Sequence, residues 1–271
     1  GKTAVVNEVH KPIVRQRGYF IKGKFDQFNR NIPLSVFVQA LRDLMGQLLS
    51  ESHAQLQQWK HKILGAIGAN GQIIIEVIPE LEIIIGQQPP VPKLSGSAAQ
   101  HRFTLLLKKF IQVFTTKDHP LVIFLDDLQW ADSASLGLME QMMDAASSTY
   151  LLIIGAYRDN EVFPAHPLML TLDAIREITS SINTITLAPL SKINIDHLVA
   201  DTLDCDEIVI QPLAELVYQQ AKGNPFFTTQ LLSGLYEEKL INFDSALGFW
   251  ECDIALVQRW VLSVGIVALV E

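Results

Sequence analysis

Residues 121–127 read LVIFLDD, an unbroken apolar run that ends in two carboxylates. Such a run is typical of a strand that is buried on both faces of a parallel sheet. Ligands of open α/β sheets bind at the carboxyl ends of the strands, so Asp126 and Asp127 are predicted to lie at a ligand site. Asp126 is suited to hold Mg²⁺ through water, and Asp127 to orient or deprotonate an attacking water. The alternative, that an acid here caps the following helix, is preferred for Asp132.

Other apolar runs surround this strand and define the class of the sheet. Residues 18–24 form a short β-rich run that precedes a helical pattern at 34–49. A second apolar run covers residues 151–156, and a weaker third covers 184–187. Strands that alternate with helices in this way predict a doubly wound parallel sheet.

The run at 151–156 also ends in polar residues, Tyr157-Arg158-Asp159. Parallel strands end at one edge, so Arg158 is expected near the two carboxylates, where it could sense or stabilise a γ-phosphate. The alternative is a surface ion pair between Arg158 and Asp159 or Glu161. Sequence leaves both interpretations open.

The chain begins with Gly1-Lys2-Thr3, the last three positions of the phosphate-loop pattern G-x-x-x-x-G-K-[ST]. In that pattern backbone N–H groups cradle phosphate, the lysine neutralises it and the hydroxyl holds Mg²⁺. A tripeptide alone is weak support for such a site. The helix predicted at residues 2–11 begins at the motif, and Asp126 and Asp127 follow at a plausible distance, which favours the phosphate loop over a chance match.

The rest of the chain divides into three parts. Gly and Pro residues interrupt the apolar runs between about 50 and 100, which predicts an insertion of short helices. Helical patterns dominate from about residue 190, with Gly223-Asn224-Pro225 between two helices, and residues 240–252 predict a hairpin that turns near 247–248. The predicted boundaries are a core at 1–189, a small helical lid at 190–240, and a hairpin with the start of a helical or winged-helix-like region at 241–271.

Composition excludes several classes of protein. Hydrophobic residues make up 49% and charged residues 18%, as in packed globular proteins, and the net charge of −8 argues against direct contact with nucleic acid. The two cysteines and seven histidines show no ligand spacing, which favours a reducing cytoplasm and no zinc site. The apolar run at 260–270 is about half of the ~20 residues that a membrane span needs. We therefore expect a cytoplasmic protein without a membrane span, and the missing initiator methionine suggests a fragment of a longer one.

Four motifs together resemble one known family. They are Gly1-Lys2-Thr3, LVIFLDDLQWAD at 121–132, GAYRDNE at 155–161 and KGNPFF at 222–227. The chain resembles the AAA-like P-loop ATPase module of the signal-transduction ATPases with numerous domains (STAND). It looks closest to the module of large bacterial, particularly cyanobacterial, proteins that join a serine/threonine kinase-like domain to sensor and histidine-kinase domains.

The resemblance implies cofactors and site residues. ATP and Mg²⁺ would bind Gly1, Lys2 and Thr3 of the Walker A loop, with Thr3 and Asp126 at the metal. Asp126 and Asp127 would be the Walker B acids, and Arg158 would lie at the sensor strand. Pro225 would belong to a GxP motif beside the adenine.

The resemblance also implies an incomplete sheet and a function. The chain lacks the family's first strand, which would lie between residues 151–156 and 184–187, so two strand edges are expected to be unpaired. The expected function is an ATP-binding and hydrolysing switch in a multi-domain signalling protein, with neighbouring kinase and sensor domains as partners and self-association possible. The alternatives are a non-catalytic scaffold with the same fold and the ATPase module of a transcriptional regulator.

Overall fold

The computed structural model describes residues 2–28, 32–143, 149–178, 182–244 and 249–264. The chain divides into two compact units, with the boundary between Thr184 and Ile185. The first unit is an α/β structure built on a parallel sheet, and the second is mainly helical.

The sheet of the first unit has, among the described residues, three strands in chain order. Strand β1 (Tyr19–Lys24) pairs with β2 (Leu121–Asp126), and β2 pairs with β3 (Leu151–Gly155). Both pairings are parallel. Five of the six residues of β2 are buried, which explains why its sequence is uninterrupted by polar residues until Asp126. The α/β class with a parallel sheet is confirmed.

Helices cover both faces of the sheet. Helix α1 (Lys2–Arg15) lies on one face, where Val6 packs with Phe20, Val122 and Phe124. Side chains alternate between the faces of a strand, so Ile21, Ile123 and Leu125 point into the larger core on the opposite face. Helix α2 (Ser35–Leu48) contributes seven buried side chains to that core.

The remaining helices of the first unit belong to the larger core. The segment from about 50 to 100, where the sequence predicts an insertion of short helices, contains a 15-residue helix and two short ones, so one helix is longer than expected. That this segment is an insertion stays a prediction. The six remaining helices described in the first unit are α3 (His53–Ile67), α4 (Gly71–Ile75), α5 (Glu80–Ile85), α6 (Gly96–Gln112), α7 (Ser133–Met142) and α8 (Pro167–Ile178).

The prediction of a further strand at residues 184–187 is wrong. Residues 182–191 form no strand, and Ile185 is 79% exposed. A strand needs a neighbour to take up its backbone N–H and C=O groups, and no strand of the described residues pairs with 184–187. With no such neighbour in place, the short β-prone sequence at 184–187 stays irregular.

The second unit, where the structure describes it, consists of four helices and a hairpin. The helices are α9 (Lys192–Leu203), α10 (Glu207–Ala221), α11 (Pro225–Glu237) and α12 (Ile254–Val264). The hairpin pairs β4 (Ile241–Asp244) antiparallel with β5 (Phe249–Cys252), as predicted, although its expected turn at 247–248 lies outside the described residues. In the part of the chain that the structure describes, no helix is both long and apolar enough to cross a membrane.

Candidate functional site

All three strands of the described sheet end at one edge, where a cleft opens. The register places Lys24 of β1 beside Asp126 of β2, and Leu125 beside Gly155 of β3. The cleft has a volume of about 840 Å³. Its lining comes from the segments that follow the strands and from the start of α2, and includes Lys24, Asp26, Gln27, Ser35, Gln39, Asp127, Trp130, Asp132 and Arg158.

Asp126 is the last residue of β2 and directly precedes Asp127, which lines the cleft. Its backbone carbonyl accepts the N–H of Phe25 at 3.0 Å, which continues the β1–β2 ladder by one step. Its side-chain Oδ1 accepts the N–H of Asp127, also at 3.0 Å. The carboxylate therefore has a defined orientation at the strand end.

Asp127 has the most constrained geometry in the site. Its backbone is left-handed, with φ 55° and ψ 44°, a conformation that Asp and Asn tolerate better than most residues. Its side chain is only 14% exposed. Oδ1 accepts a hydrogen bond of 3.1 Å from Gln129 Nε2 and lies 3.9 Å from Arg158 Nε, while Oδ2 lies 3.5 Å from Lys24 Nζ. Two cations and one amide thus surround a single carboxylate.

Arg158 forms the ion pair with Glu161 that one of the two sequence-based alternatives predicts, and its contact with a γ-phosphate stays a prediction. Its Nη1 forms a 2.9 Å ion pair with Glu161 Oε1, and its Nε faces Asp127 across the cleft. The side chain is 57% exposed, so the guanidinium is accessible to a ligand in the cleft. Glu161 holds one end of this guanidinium while the other end faces the acid.

Lys2 reaches the same edge from helix α1. Its Nζ donates a 2.8 Å hydrogen bond to the backbone carbonyl of Tyr157, directly before Arg158. Thr3 is exposed in the first turn of α1. The structure thus places Lys2, Asp126, Asp127 and Arg158 at one edge of the sheet, whereas Gly1 lies outside the described residues.

Pro225 belongs to the second compact unit, where it is the first residue of helix α11. Asn224 caps this helix, since its side-chain oxygen accepts the N–H of Phe226 at 2.9 Å. Gly223 has φ 75°, and a β-carbon there would lie 2.2 Å from the carbonyl oxygen of Leu190. The glycine and proline therefore have structural reasons to be present, and the adenine contact of Pro225 stays a prediction.

Two residues of the site were not identified from the sequence. Lys24 ends a predicted strand, so the rule that selected Asp126 would also have selected Lys24. Gln129 lies in a 3₁₀ turn (Leu128–Trp130) and carries no sequence signal for its contacts. The predicted capping role of Asp132 is confirmed, because its carboxylate accepts the N–H of Ser135 at 2.9 Å.

The residue types at the start of α1 and at the end of β2 are those that a magnesium–phosphate ligand uses. The hydroxyl of Thr3 and the carboxylate of Asp126 are hard oxygen donors, and Mg²⁺ commonly takes one or two protein ligands together with substrate phosphates. Lys2 and the N–H groups at the start of α1 suit phosphate oxygens. Within the described residues no three or more His, Cys, Asp or Glu side chains lie together as a possible metal cage.

Comparison with known families identifies the family of the chain. Residues 1–154 match the family described as AAA ATPase domain, which is more than half of the chain. The chain therefore belongs to the AAA ATPase domain family, whose members are nucleotide-binding modules. No solved structure matches the chain.

Three relatives are signalling kinases of much greater length. The chain is 30% identical to hybrid signal transduction histidine kinase G of Dictyostelium discoideum, over 96% of the chain and 9% of the kinase. It is 24% identical to histidine protein kinase 1 of Candida albicans, over 55% of the chain and 7% of the kinase. It is 23% identical to the peroxide stress-activated histidine kinase mak2 of Schizosaccharomyces pombe, over 96% of the chain and 12% of the kinase. The chain thus spans about a tenth of these relatives. All three are eukaryotic, so the predicted bacterial, particularly cyanobacterial, kinship is not supported.

Proposed function

We propose that this chain binds ATP with Mg²⁺ at the carboxyl edge of its sheet, hydrolyses it, and acts as a nucleotide-dependent switch of the STAND type in a cytoplasmic multi-domain signalling protein. The observation that carries the proposal is the convergence of Lys2, Asp126, Asp127 and Arg158 at one strand edge. Membership of the AAA ATPase domain family supports the nucleotide. The names of the relatives support the signalling context.

Each residue has a role that follows from its chemistry. Lys2 and the first turn of α1 hold the β- and γ-phosphates, while Thr3 and Asp126 hold Mg²⁺. The metal, when bound, supplies positive charge to the phosphate oxygens. Asp127 orients the attacking water and accepts its proton as the new P–O bond forms and the bond to ADP breaks. Arg158 offsets the negative charge on the transferred phosphoryl group.

The switch requires a part that responds to the nucleotide. We assign this role to the helical segment 190–240, which follows the core at 1–189 and precedes the hairpin region at 241–271. Pro225 begins helix α11 in this segment and is the residue proposed to contact the adenine. The proposed partners are neighbouring kinase and sensor domains, whose contacts change when ATP is hydrolysed.

The test uses the intact protein that contains this chain. Its ATP binding is measured by calorimetry, and its ATP hydrolysis is measured as phosphate release. We expect micromolar or tighter binding of Mg-ATP, loss of binding in Lys2→Ala, and binding with little turnover in Asp126→Asn. Asp118→Asn is the matched control, because Asp118 is an exposed acid in the loop before β2, at the opposite end of the strand. Absence of ATP binding, or equal turnover in all variants, would refute the proposal.

A second candidate is an interaction module that binds nucleotide without hydrolysis. The ion pairs of Asp127 favour it, because a carboxylate already engaged by Lys24 and Arg158 is less available to water. This candidate predicts ATP binding with no phosphate release in the unmodified protein, and the same two measurements therefore distinguish the candidates.

A further inference from the structure

Gln129 is a buried polar residue whose amide connects two segments of the site. The residue is 3% exposed and lies in the turn that follows β2. Its Nε2 donates to Asp127 Oδ1 at 3.1 Å, and its Oε1 accepts the backbone N–H of Arg158 at 3.3 Å. One side chain therefore joins the acid that follows β2 to the loop that follows β3.

The two partners also fix the orientation of the amide. A backbone N–H only donates, so the amide oxygen must face Arg158, and an ionised carboxylate only accepts, so the amide nitrogen must face Asp127. Reversal of the amide would place two donors together and two acceptors together. Burial of an amide is unfavourable unless its groups are hydrogen-bonded, and here one donor and the acceptor are both used.

Backbone hydrogen bonds already join these two loops. Leu128 N–H donates to the carbonyl of Ala156 at 2.9 Å, and Ala156 N–H donates to the carbonyl of Leu125 at 2.9 Å. The loops would thus stay together without the amide of Gln129. What the amide adds is a neutral donor that sets the direction of the Asp127 carboxylate relative to Arg158, without changing the charge of the site.

We propose that Gln129 is a positioning residue that fixes the carboxylate of Asp127 against the Arg158 segment, so that acid and guanidinium face the γ-phosphate in one arrangement. This inference rests on the proposed ATP hydrolysis. Gln129 itself takes no part in bond making or breaking. Its effect is expected on the rate of turnover and not on the affinity for ATP, because the contacts assigned to phosphate binding come from Lys2 and α1.

The test uses two substitutions of similar shape. Gln129→Met removes both hydrogen bonds at nearly constant length, and Gln129→Glu keeps an acceptor for Arg158 N–H but loses the donor to Asp127. We expect kcat to fall about 10- to 100-fold in both, as misplacement of a reacting group predicts, with the dissociation constant for ATP within about threefold of the unmodified protein. Gln58→Met, at an exposed position of α3, is the matched control and should leave both quantities unchanged.

The readout separates positioning from stability. Rates are divided by the calorimetric ATP-binding stoichiometry, so that a fraction of unfolded protein does not lower the apparent kcat. Unchanged kcat per bound site in both variants, or failure of both variants to fold, would assign Gln129 to stability alone and overturn the inference. If the unmodified protein binds ATP without hydrolysing it, the proposed hydrolysis fails and the inference fails with it. Normal hydrolysis in the unmodified protein and in both variants refutes only the role of Gln129.

Discussion

The ammonium of Lys24 lies 3.5 Å from Oδ2 of Asp127, and this contact links the carboxyl ends of β1 and β2. The two partners differ in environment, since the lysine side chain is 67% exposed and the aspartate side chain 14%. An ion pair with one such exposed partner contributes little to stability, about 0–1 kcal/mol. The contact is therefore more important for the orientation of Asp127 than for the fold.

Substitution Lys24→Gln tests this separation. We expect the free energy of unfolding to change by less than about 1 kcal/mol, because the ammonium is largely solvated. ATP turnover should fall about tenfold, equivalent to about 1.4 kcal/mol, since Asp127 loses the group that holds Oδ2. Urea unfolding and phosphate release check the two effects. Lys117→Gln, at an exposed position before β2, is the control, and unchanged turnover in Lys24→Gln would contradict the expectation.

The left-handed backbone of Asp127 leads to a second prediction, which concerns the stability of variants at this position. Asp127→Asn should keep this conformation and much of the stability, whereas Asp127→Ala should be less stable than Asp127→Asn by about 1–2 kcal/mol. Asp127→Gly separates strain from lost hydrogen bonds, because glycine adopts positive φ without a β-carbon clash and should recover part of the loss. Urea unfolding compares the three variants. Equal stability of the Ala and Gly variants would show that backbone strain is absent.

Much of the sheet follows from sequence because the relevant signal is local. The apolar run of β2 is long enough to require burial on both faces, and its polar end then fixes where a ligand site lies. Asp126, Asp127 and Arg158 could be placed at one edge by this rule alone. Residues 184–187 show its limit, since a short β-prone run becomes a strand only when a neighbour pairs with it.

Contacts between loops are not predictable in the same way. Gln129 meets Arg158 because the turn after β2 and the loop after β3 fold against each other, and no spacing in the sequence encodes that approach. Lys24 was predictable as a strand end, but its pairing with Asp127 required the parallel β1–β2 register.

Substitution of Gly23 tests how closely β1 packs against helix α2. A β-carbon at this position would lie 2.6 Å from the backbone carbonyl oxygen of Val36 in α2, too close without a shift of the helix. We expect Gly23→Ala to destabilise the protein by about 1–3 kcal/mol. Gly46→Ala in the same helix is the control, because a β-carbon there would meet no atom within 4 Å, and it should stabilise by about 0.5–1 kcal/mol. Thermal or urea unfolding distinguishes the opposite signs, and equal stability of the two variants would argue against the close approach.

The contribution of Tyr19 to the free energy of unfolding is expected to decline at alkaline pH. Burial raises the pKa of its phenol above the ordinary value, and the hydrogen bond and negative charge of Glu51 raise the pKa further. The phenol therefore contributes its full stabilisation below the unfolded pKa of about 10, and the contribution declines as pH rises from there towards the folded pKa.

Substitution Tyr19→Phe should remove this pH-dependent contribution. At about pH 8 we expect a loss of about 1–3 kcal/mol, because Glu51 keeps its bond from Trp59 Nε1 but loses the phenol donor. The difference between the variant and the unmodified protein should shrink above about pH 10. Unfolding free energies measured across this range test it. Tyr150→Phe, with a side chain at a 46% exposed position, is the control, and a difference independent of pH would contradict the assignment.

Asp132 lines the cleft together with Asp127 but has a different role. Its Oδ1 accepts the N–H of Ser135 at 2.9 Å and its Oδ2 accepts the Ser135 hydroxyl at 2.6 Å, so it caps helix α7. Asp132→Ala should therefore cost about 0.5–2 kcal/mol of stability, whereas Asp132→Asn should cost less because Asn also caps helices well. Both variants should hydrolyse ATP at the unmodified rate per binding-competent molecule. A large loss of turnover in Asp132→Asn, with stability retained, would instead place this carboxylate among the groups that contact the nucleotide or its metal.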